Sequence, residues 1–221
     1  MKVCTDACIL GAWVANKIKS GQINASSILD IGTGTGLLSL MLAQKSFVKI
    51  DAIEIERNAF IQAVENFNQS SWHDRLQAFH IDVKNFTPAE KYNFIICNPP
   101  FYEDDLLSPI QNKNVAKHDK ALTLKELISL IKNLLDSSGS FAVLLPYHRV
   151  AYLERLADEN YFFLREKLLI KPTSQHKYFR GILLFDQTND KSVKKELIIK
   201  KEDGNYSEEF IELLKDYYIN L

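Results

Sequence analysis

No stretch of the 221-residue sequence approaches the roughly 18 consecutive apolar residues of a membrane-crossing helix. The opening MKVCTDACILGAW also lacks the charged region, long apolar run and cleavage site of a secretion signal. With neither present, a cytoplasmic location is the default expectation, and no membrane partner is expected. Cysteine is scarce. Cys4, Cys8 and Cys97 are odd in number and include no C-x-x-C pair, so neither a disulfide framework nor a zinc site is expected. They read as small buried side chains in a reducing compartment, and no metal is assigned. A basic excess is missing too. Lys and Arg number 27 against 28 Asp and Glu, for a net charge of −1 and a pI of about 6.5. That excludes a protein holding nucleic acid by bulk charge alone; an RNA partner would have to meet a local basic patch and a specific pocket. Internal repeats, low-complexity tracts and linkers are also absent, so residues 1–221 are expected to form a single domain. Nothing in the sequence speaks to oligomeric state.

What is present is an alternation of strand-like and helix-like segments. Residues 6–19 read as a helix that Asp6 can cap, with Leu10, Trp13, Val14 and Ile18 near one face. Short apolar runs at 26–32, 49–56, 76–82, 92–98 and 139–146 read as strands, and 36–46, 57–69 and 148–159 as helices between them. Thr123 and Glu126 fit a capping box for a helix reaching about Leu135. Residues 102–120 form a polar segment that reads as a loop. Two long strands follow at 162–171 and 181–187, with a further short candidate at 196–201. Residues 207–219 read as a last amphipathic helix, capped by Ser207, with Glu208 and Glu209 at its positive end. This order predicts an α/β fold: a mostly parallel, seven-stranded sheet with helices on both faces.

The first informative motif, Asp30-Ile31-Gly32-Thr33-Gly34-Thr35-Gly36, lies where the first strand turns into a helix. Glycines there allow a sharp turn and close approach of a ligand. The spacing is G-x-G-x-G; the dinucleotide pattern would need a glycine at Leu37. Glu54 ends the second strand, where a carboxylate can accept both hydroxyls of a ribose. Asp82 ends the third, where it or a neighbouring amide could hold an adenine ring. Each alone could be a helix cap or a solvated strand end. All three in register resemble the class I S-adenosylmethionine methyltransferases, a Rossmann-like fold. That resemblance implies a glycine loop (Gly32, Gly34, Gly36) passing the methionine part, Glu54 on the ribose and Asp82 on the adenine.

The second motif, Asn98-Pro99-Pro100-Phe101, follows the fourth strand. Two prolines fix the backbone and remove two N–H donors. What remains is a row of acceptors, the Asn98 side-chain oxygen and the Pro99 carbonyl. An exocyclic amine offers two N–H donors, and its lone pair is delocalised into the ring. Accepting both hydrogens draws the nitrogen toward tetrahedral geometry and frees the lone pair to attack an activated methyl group. Much of the catalysis is then placement, and no strong base is needed before attack. Phe101 fits a stacking platform for a flipped-out base. The plain alternative for the motif is a rigid loop closing a strand.

Together these residues resemble the bacterial tRNA1(Val) adenine N6-methyltransferases over nearly the whole chain. The resemblance also includes Lys2-Val3-Cys4-Thr5-Asp6, Leu10-Gly11-Ala12-Trp13, Asp51-Ala52-Ile53-Glu54 and Ala116-Lys117-His118. The family has Gly at the Cys4 position, Arg at that of Lys117 and often Tyr at that of Phe101. Its chains extend upstream of the Lys-Val-x-Thr-Asp segment, which leaves room for an N-terminal extension that this sequence does not carry. The resemblance implies methyl transfer from S-adenosylmethionine to N6 of adenosine 37 in a valine tRNA, with Thr5 and Asp6 near the cofactor.

Candidate phosphate contacts are Lys113, Lys117, His118 and Lys120 after the motif, and Lys171, His176, Lys177 and Arg180 between the two late strands. Lys194 and Lys195 read as surface charges. Rival acceptors for the same motif are a protein glutamine, an rRNA guanine N2 and a DNA adenine. The glutamine and DNA enzymes usually add a substrate domain for which this chain has no room. A rival from another class is a non-catalytic cofactor-binding RNA-binding protein, against which the intact Asn-Pro-Pro-Phe argues.

Overall fold

The computed structural model describes residues 4–99 and 122–220. The expectations for Pro100, Phe101, Lys113, Lys117, His118, Lys120 and the 102–120 loop lie outside the described residues. The elements run α1 (Thr5–Lys19), β1 (Ser27–Ile31), α2 (Leu37–Lys45), β2 (Lys49–Glu54), α3 (Arg57–Gln69), β3 (Leu76–His80), β4 (Tyr92–Cys97), α4 (Leu124–Leu134), β5 (Leu135–Pro146), α5 (Val150–Asp158), β6 (Phe163–Lys171), β7 (Arg180–Asp186), β8 (Val193–Ile198) and α6 (Glu208–Leu214).

The strands form one sheet in the order β3-β2-β1-β4-β5-β7-β6-β8. β1 to β5 are parallel, and β7 is antiparallel to both β5 and β6. The sheet therefore has eight strands where the sequence suggested seven. The eighth covers Val193–Ile198 and not 196–201, because it takes its register from β6, pairing Glu166 with Val193 and Lys171 with Ile198. Its first four residues are exposed and charged or polar apart from Val193, so local apolar pattern gives little sign of it.

Alternate strand residues feed two apolar layers. Ile28, Phe94, Ile96 and Ala142 join α1, α2 and α6 on one face, while Leu29, Ile95, Phe141 and Val143 join α4 and α5 on the other. Each fully buried Phe or Leu of this kind contributes about 1.5–3 kcal/mol. Thr123 and Glu126 make the reciprocal capping box of α4. Ser207 caps α6 by accepting from Phe210 N–H at 3.1 Å, but the helix stops at Leu214.

One cap expectation fails. The residue before α1 is Cys4, no side chain caps it, and Asp6 lies inside the first turn. Its carboxylate accepts instead from Arg180 Nε at 2.8 Å. Arg180 opens β7 and pairs with Pro146 at the end of β5. The ion pair thus anchors the start of α1 at the carboxyl edge of the parallel strands.

Candidate functional site

β1 is flanked by β2 on one side and β4 on the other, with Ile31 opposite both Ile53 and Cys97. The chain switches direction across the sheet at this point, which opens a crevice beyond the strand ends. The residues that follow β1, β2 and β4 are the glycine loop, the Glu54 turn and Asn98. Three segments far apart in sequence therefore converge because their strands are neighbours.

The loop is braced from several sides. Gly32 and Thr33 donate their N–H groups to the Ile53 carbonyl at 2.9 and 3.0 Å. Asp30, fully buried, accepts from the Thr33 hydroxyl at 2.6 Å and the Ser39 hydroxyl at 2.7 Å, both on Oδ2. Its Oδ1 is buried with no hydrogen-bond partner among the described residues. Glu54, also buried, accepts Gly34 N–H on Oε2 and Glu56 N–H on Oε1, both at 2.8 Å. Asn66 of α3 donates to the Thr35 carbonyl at 2.8 Å. Gly36 has φ +87°, and a Cβ there would come within 2.5 Å of the Phe67 ring, so a side chain is excluded by backbone and packing alike. A Cβ on Gly32, by contrast, would meet no atom within 4 Å; that backbone faces open space, as a ligand cradle requires.

Burial pushes the Asp30 carboxyl up to about 6, with the Glu54 charge adding to the rise and the Thr33 and Ser39 hydrogen bonds opposing it. A carboxyl whose folded value lies above its unfolded one stabilises the fold most when protonated. Its contribution is full below about pH 4 and is lost as pH rises through about 6, a change on the order of 3 kcal/mol. Urea unfolding across this range is expected to show that loss in the wild type and a flatter profile in Asp30→Asn. Parallel profiles would remove Asp30 as the cause.

Asn98 leaves β4 half-buried, and its side-chain Oδ1 is buried with no hydrogen-bond partner among the described residues. Orphaned buried acceptors are rare, since leaving one unmade costs about 1–3 kcal/mol. Pro99 behind it is buried and offers a carbonyl but no N–H. The thiol of Cys97, one residue earlier, is pushed up by burial and by the Asp30 charge, which keeps it protonated and inert. Among the described residues no cluster of His, Cys, Asp or Glu could hold a metal ion, and no helix is long and apolar enough to cross a membrane.

The other sequence-derived candidates are placed as follows. Asp82 is half-exposed just past β3, and its Oδ1 accepts Lys84 N–H at 2.9 Å, capping a short turn. Thr5 is exposed at the start of α1 and reaches the Tyr218 hydroxyl. Arg180 is engaged by Asp6, which uses part of the charge expected to meet phosphate. Lys177 and His176 are exposed, the latter sharing a 2.7 Å hydrogen bond with Thr173. Lys171 lies 3.6 Å from Glu196. Lys194 and Lys195 are about half exposed, as surface charges would be. Sequence reasoning passed over Ser39 and Asn66. Ser39 had a signal, as the one hydroxyl residue within the apolar stretch Leu37–Ala43; Asn66 had none.

A family model described as the methyltransferase small domain matches residues 14–156. The tRNA1(Val) (adenine(37)-N6)-methyltransferase of Dyadobacter fermentans is 42% identical, covering 99% of this chain and 91% of that one. The enzyme of the same description from Pseudoalteromonas translucida is 36% identical over 100% of this chain and 93% of its own. Among solved structures, an Agrobacterium tumefaciens protein described as a predicted O-methyltransferase superposes with a TM-score of 0.72 at 16% identity, over 97% of this chain and 99% of that one. An S-adenosylmethionine-dependent methyltransferase of Clostridium acetobutylicum gives 0.58 at 12% identity, over 80% and 90%. The structural likenesses establish the Rossmann-like methyltransferase fold, and the sequence relatives establish more: this chain belongs to the tRNA1(Val) (adenine(37)-N6)-methyltransferase family.

Proposed function

We propose that this chain transfers a methyl group from S-adenosylmethionine to N6 of an adenosine in tRNA, namely adenosine 37 of tRNA1(Val), and that it does so in the cytoplasm as one domain spanning residues 1–221. The observation that carries the chemistry is the orphaned, buried Oδ1 of Asn98 beside the glycine crevice. The residues fit the cofactor: Gly32 leaves open space along its backbone, and Glu54 keeps lone pairs free beyond those given to Gly34 and Glu56. When bound, S-adenosylmethionine supplies a methyl group made electrophilic by its sulfonium.

In this reading Gly32, Gly34 and Gly36 line the methionine part, Glu54 accepts the ribose hydroxyls and Asp82 faces the adenine. Thr5 and Asp6 close the crevice from α1. Asp30 acts through the loop: both its hydrogen bonds go to Thr33 and Ser39, so it sets loop shape. Asn98 Oδ1 and the Pro99 carbonyl each accept one N–H of the target amine, Pro100 stiffens the turn, and Phe101 stacks on the extruded base. Lys113, Lys117, His118, Lys171 and Lys177 meet the RNA backbone, with Arg180 shared with Asp6. Neither a glutamine nor a guanine N2 acceptor is favoured beside relatives whose descriptions name adenine 37.

The direct test is methyl transfer from radiolabelled cofactor to purified tRNA1(Val), with nucleoside mass spectrometry of the product. N6-methyladenosine is expected, and it disappears when adenosine 37 is replaced by guanosine. Label on tRNA lacking adenosine 37, or on protein, would overturn the assignment.

A further inference from the structure

β4 ends with Cys97 opposite Val143, so Asn98 falls beside Leu144, and β5 runs on past it to Pro146. At about 3.3 Å per residue and about 5 Å between strands, the residue after Pro146 lies roughly 11 Å from Asn98, past the carboxyl edge of the sheet. That residue is Tyr147, which is 42% exposed although large and aromatic. Its N–H donates to the Phe179 carbonyl at 3.0 Å, which fixes its backbone against the start of β7. Its ring meets Tyr178 with centroids 5.1 Å apart, and the Tyr178 hydroxyl donates to Glu196.

Cations surround this pair. The ammonium of Lys171 lies 4.5 Å from the centre of the Tyr178 ring and that of Lys194 lies 5.4 Å from it. Below the rings a cleft of about 330 Å³ opens between α5 and the outer strands, lined by Tyr147, His148, Glu154, Lys167, Leu169 and Lys194. Lys167 is balanced by Glu154 at 2.8 Å, and Glu196 is shared between Lys171 and Lys194. Three lysines thus face two carboxylates, a local positive excess on a chain whose net charge is −1. An exposed ring packed on a half-buried one and set among cations suits neither a folded core nor a plain solvated face. They suit a nucleotide, whose base stacks and whose phosphate needs a counter-charge.

We propose that Tyr147, backed by Tyr178 and flanked by Lys171 and Lys194, is a stacking subsite for a single-stranded RNA nucleotide adjacent to the methylated adenosine. Extruding one base from an RNA loop leaves its neighbours unstacked, and a fixed ring roughly 11 Å from the amine clamp replaces the lost partner. The lysines then lie where the backbone of that neighbour passes. The subsite rests on the reading of the substrate as RNA, and it adds a second base-binding surface to the pocket at Asn98.

The test uses the full chain and a fluorescein-labelled anticodon stem–loop RNA carrying the target adenosine, followed by anisotropy without turnover. Tyr147→Ala is expected to weaken binding about tenfold, the effect of losing one stacked base. Tyr147→Phe, which keeps the ring, should bind within about twofold of wild type, and the KM for S-adenosylmethionine should be unchanged in both. An RNA with an abasic residue on one side of the target should lose as much affinity with wild type as Tyr147→Ala does, and lose little more with the variant. Wild-type affinity in Tyr147→Ala, equal losses in Ala and Phe, or losses that add in full for abasic residues on both sides would each overturn the subsite. Absence of methyl transfer to tRNA by the wild type would instead strike the proposed function, so the two failures are separable.

Discussion

Asn98→Ala is expected to lower kcat by about 100- to 1,000-fold while leaving the affinity for S-adenosylmethionine within about twofold. The magnitude is that of removing one preorganised hydrogen-bonding group from a site that works by placement. The selectivity follows from geometry: Oδ1 has no hydrogen-bond partner among the described residues, so deleting it disturbs no described contact that shapes the crevice. Asn98→Asp keeps an oxygen at the same place and should retain more turnover than Ala. Single-turnover rates, with equilibrium binding of the cofactor measured alongside, separate the two quantities. An Ala variant with near-normal turnover would remove the amine clamp from the mechanism.

Glu54→Ala should show the opposite split, raising the KM for S-adenosylmethionine by about 100-fold with a smaller change in kcat. Glu54 holds the Gly34 and Glu56 N–H groups at 2.8 Å and is the acceptor proposed for the ribose hydroxyls. Hydrogen bonds to a charged group contribute about 1.5–3 kcal/mol each, so losing the ribose contacts and the loop anchor together reaches that size. Glu54→Gln retains one acceptor oxygen and is expected to fall between wild type and Ala. Isothermal titration with S-adenosylhomocysteine reads the affinity without catalysis. Unchanged affinity in Glu54→Ala would show that the carboxylate serves the fold alone.

Where the determinants are local, the sequence carried them. Helix α3 spans residues 57–69 as predicted, the Thr123–Glu126 capping box forms, and the glycine motif turns β1 into α2. Where the determinants are tertiary, local pattern pointed elsewhere. Asp6 looked like a cap because Asp before an apolar stripe usually is one, but its partner Arg180 lies 174 residues away. β8 takes its limits from pairing with β6 and not from its own hydrophobicity. Glu54 was visible as a strand-end carboxylate, but its hold on Gly34 depends on β2 lying beside β1. The brace from Asn66 to Thr35 depends on the packing of α3 against the loop, which no spacing rule encodes.

The residues after α6 have a consequence for how the molecule is made. Asp216 receives Lys45 and the side chain of Gln44, Tyr217 donates to the Met41 carbonyl at 3.2 Å, and Tyr218 reaches Thr5 and Cys8. These contacts join α1 and α2 to residues 216–218, over separations of more than 170 residues. Links of such range form late, since a long loop must close before they add stability. On the ribosome, α1 and α2 would therefore wait for residues 216–218 to emerge before they are clamped, and until then the nascent chain would hold these two helices without that tie.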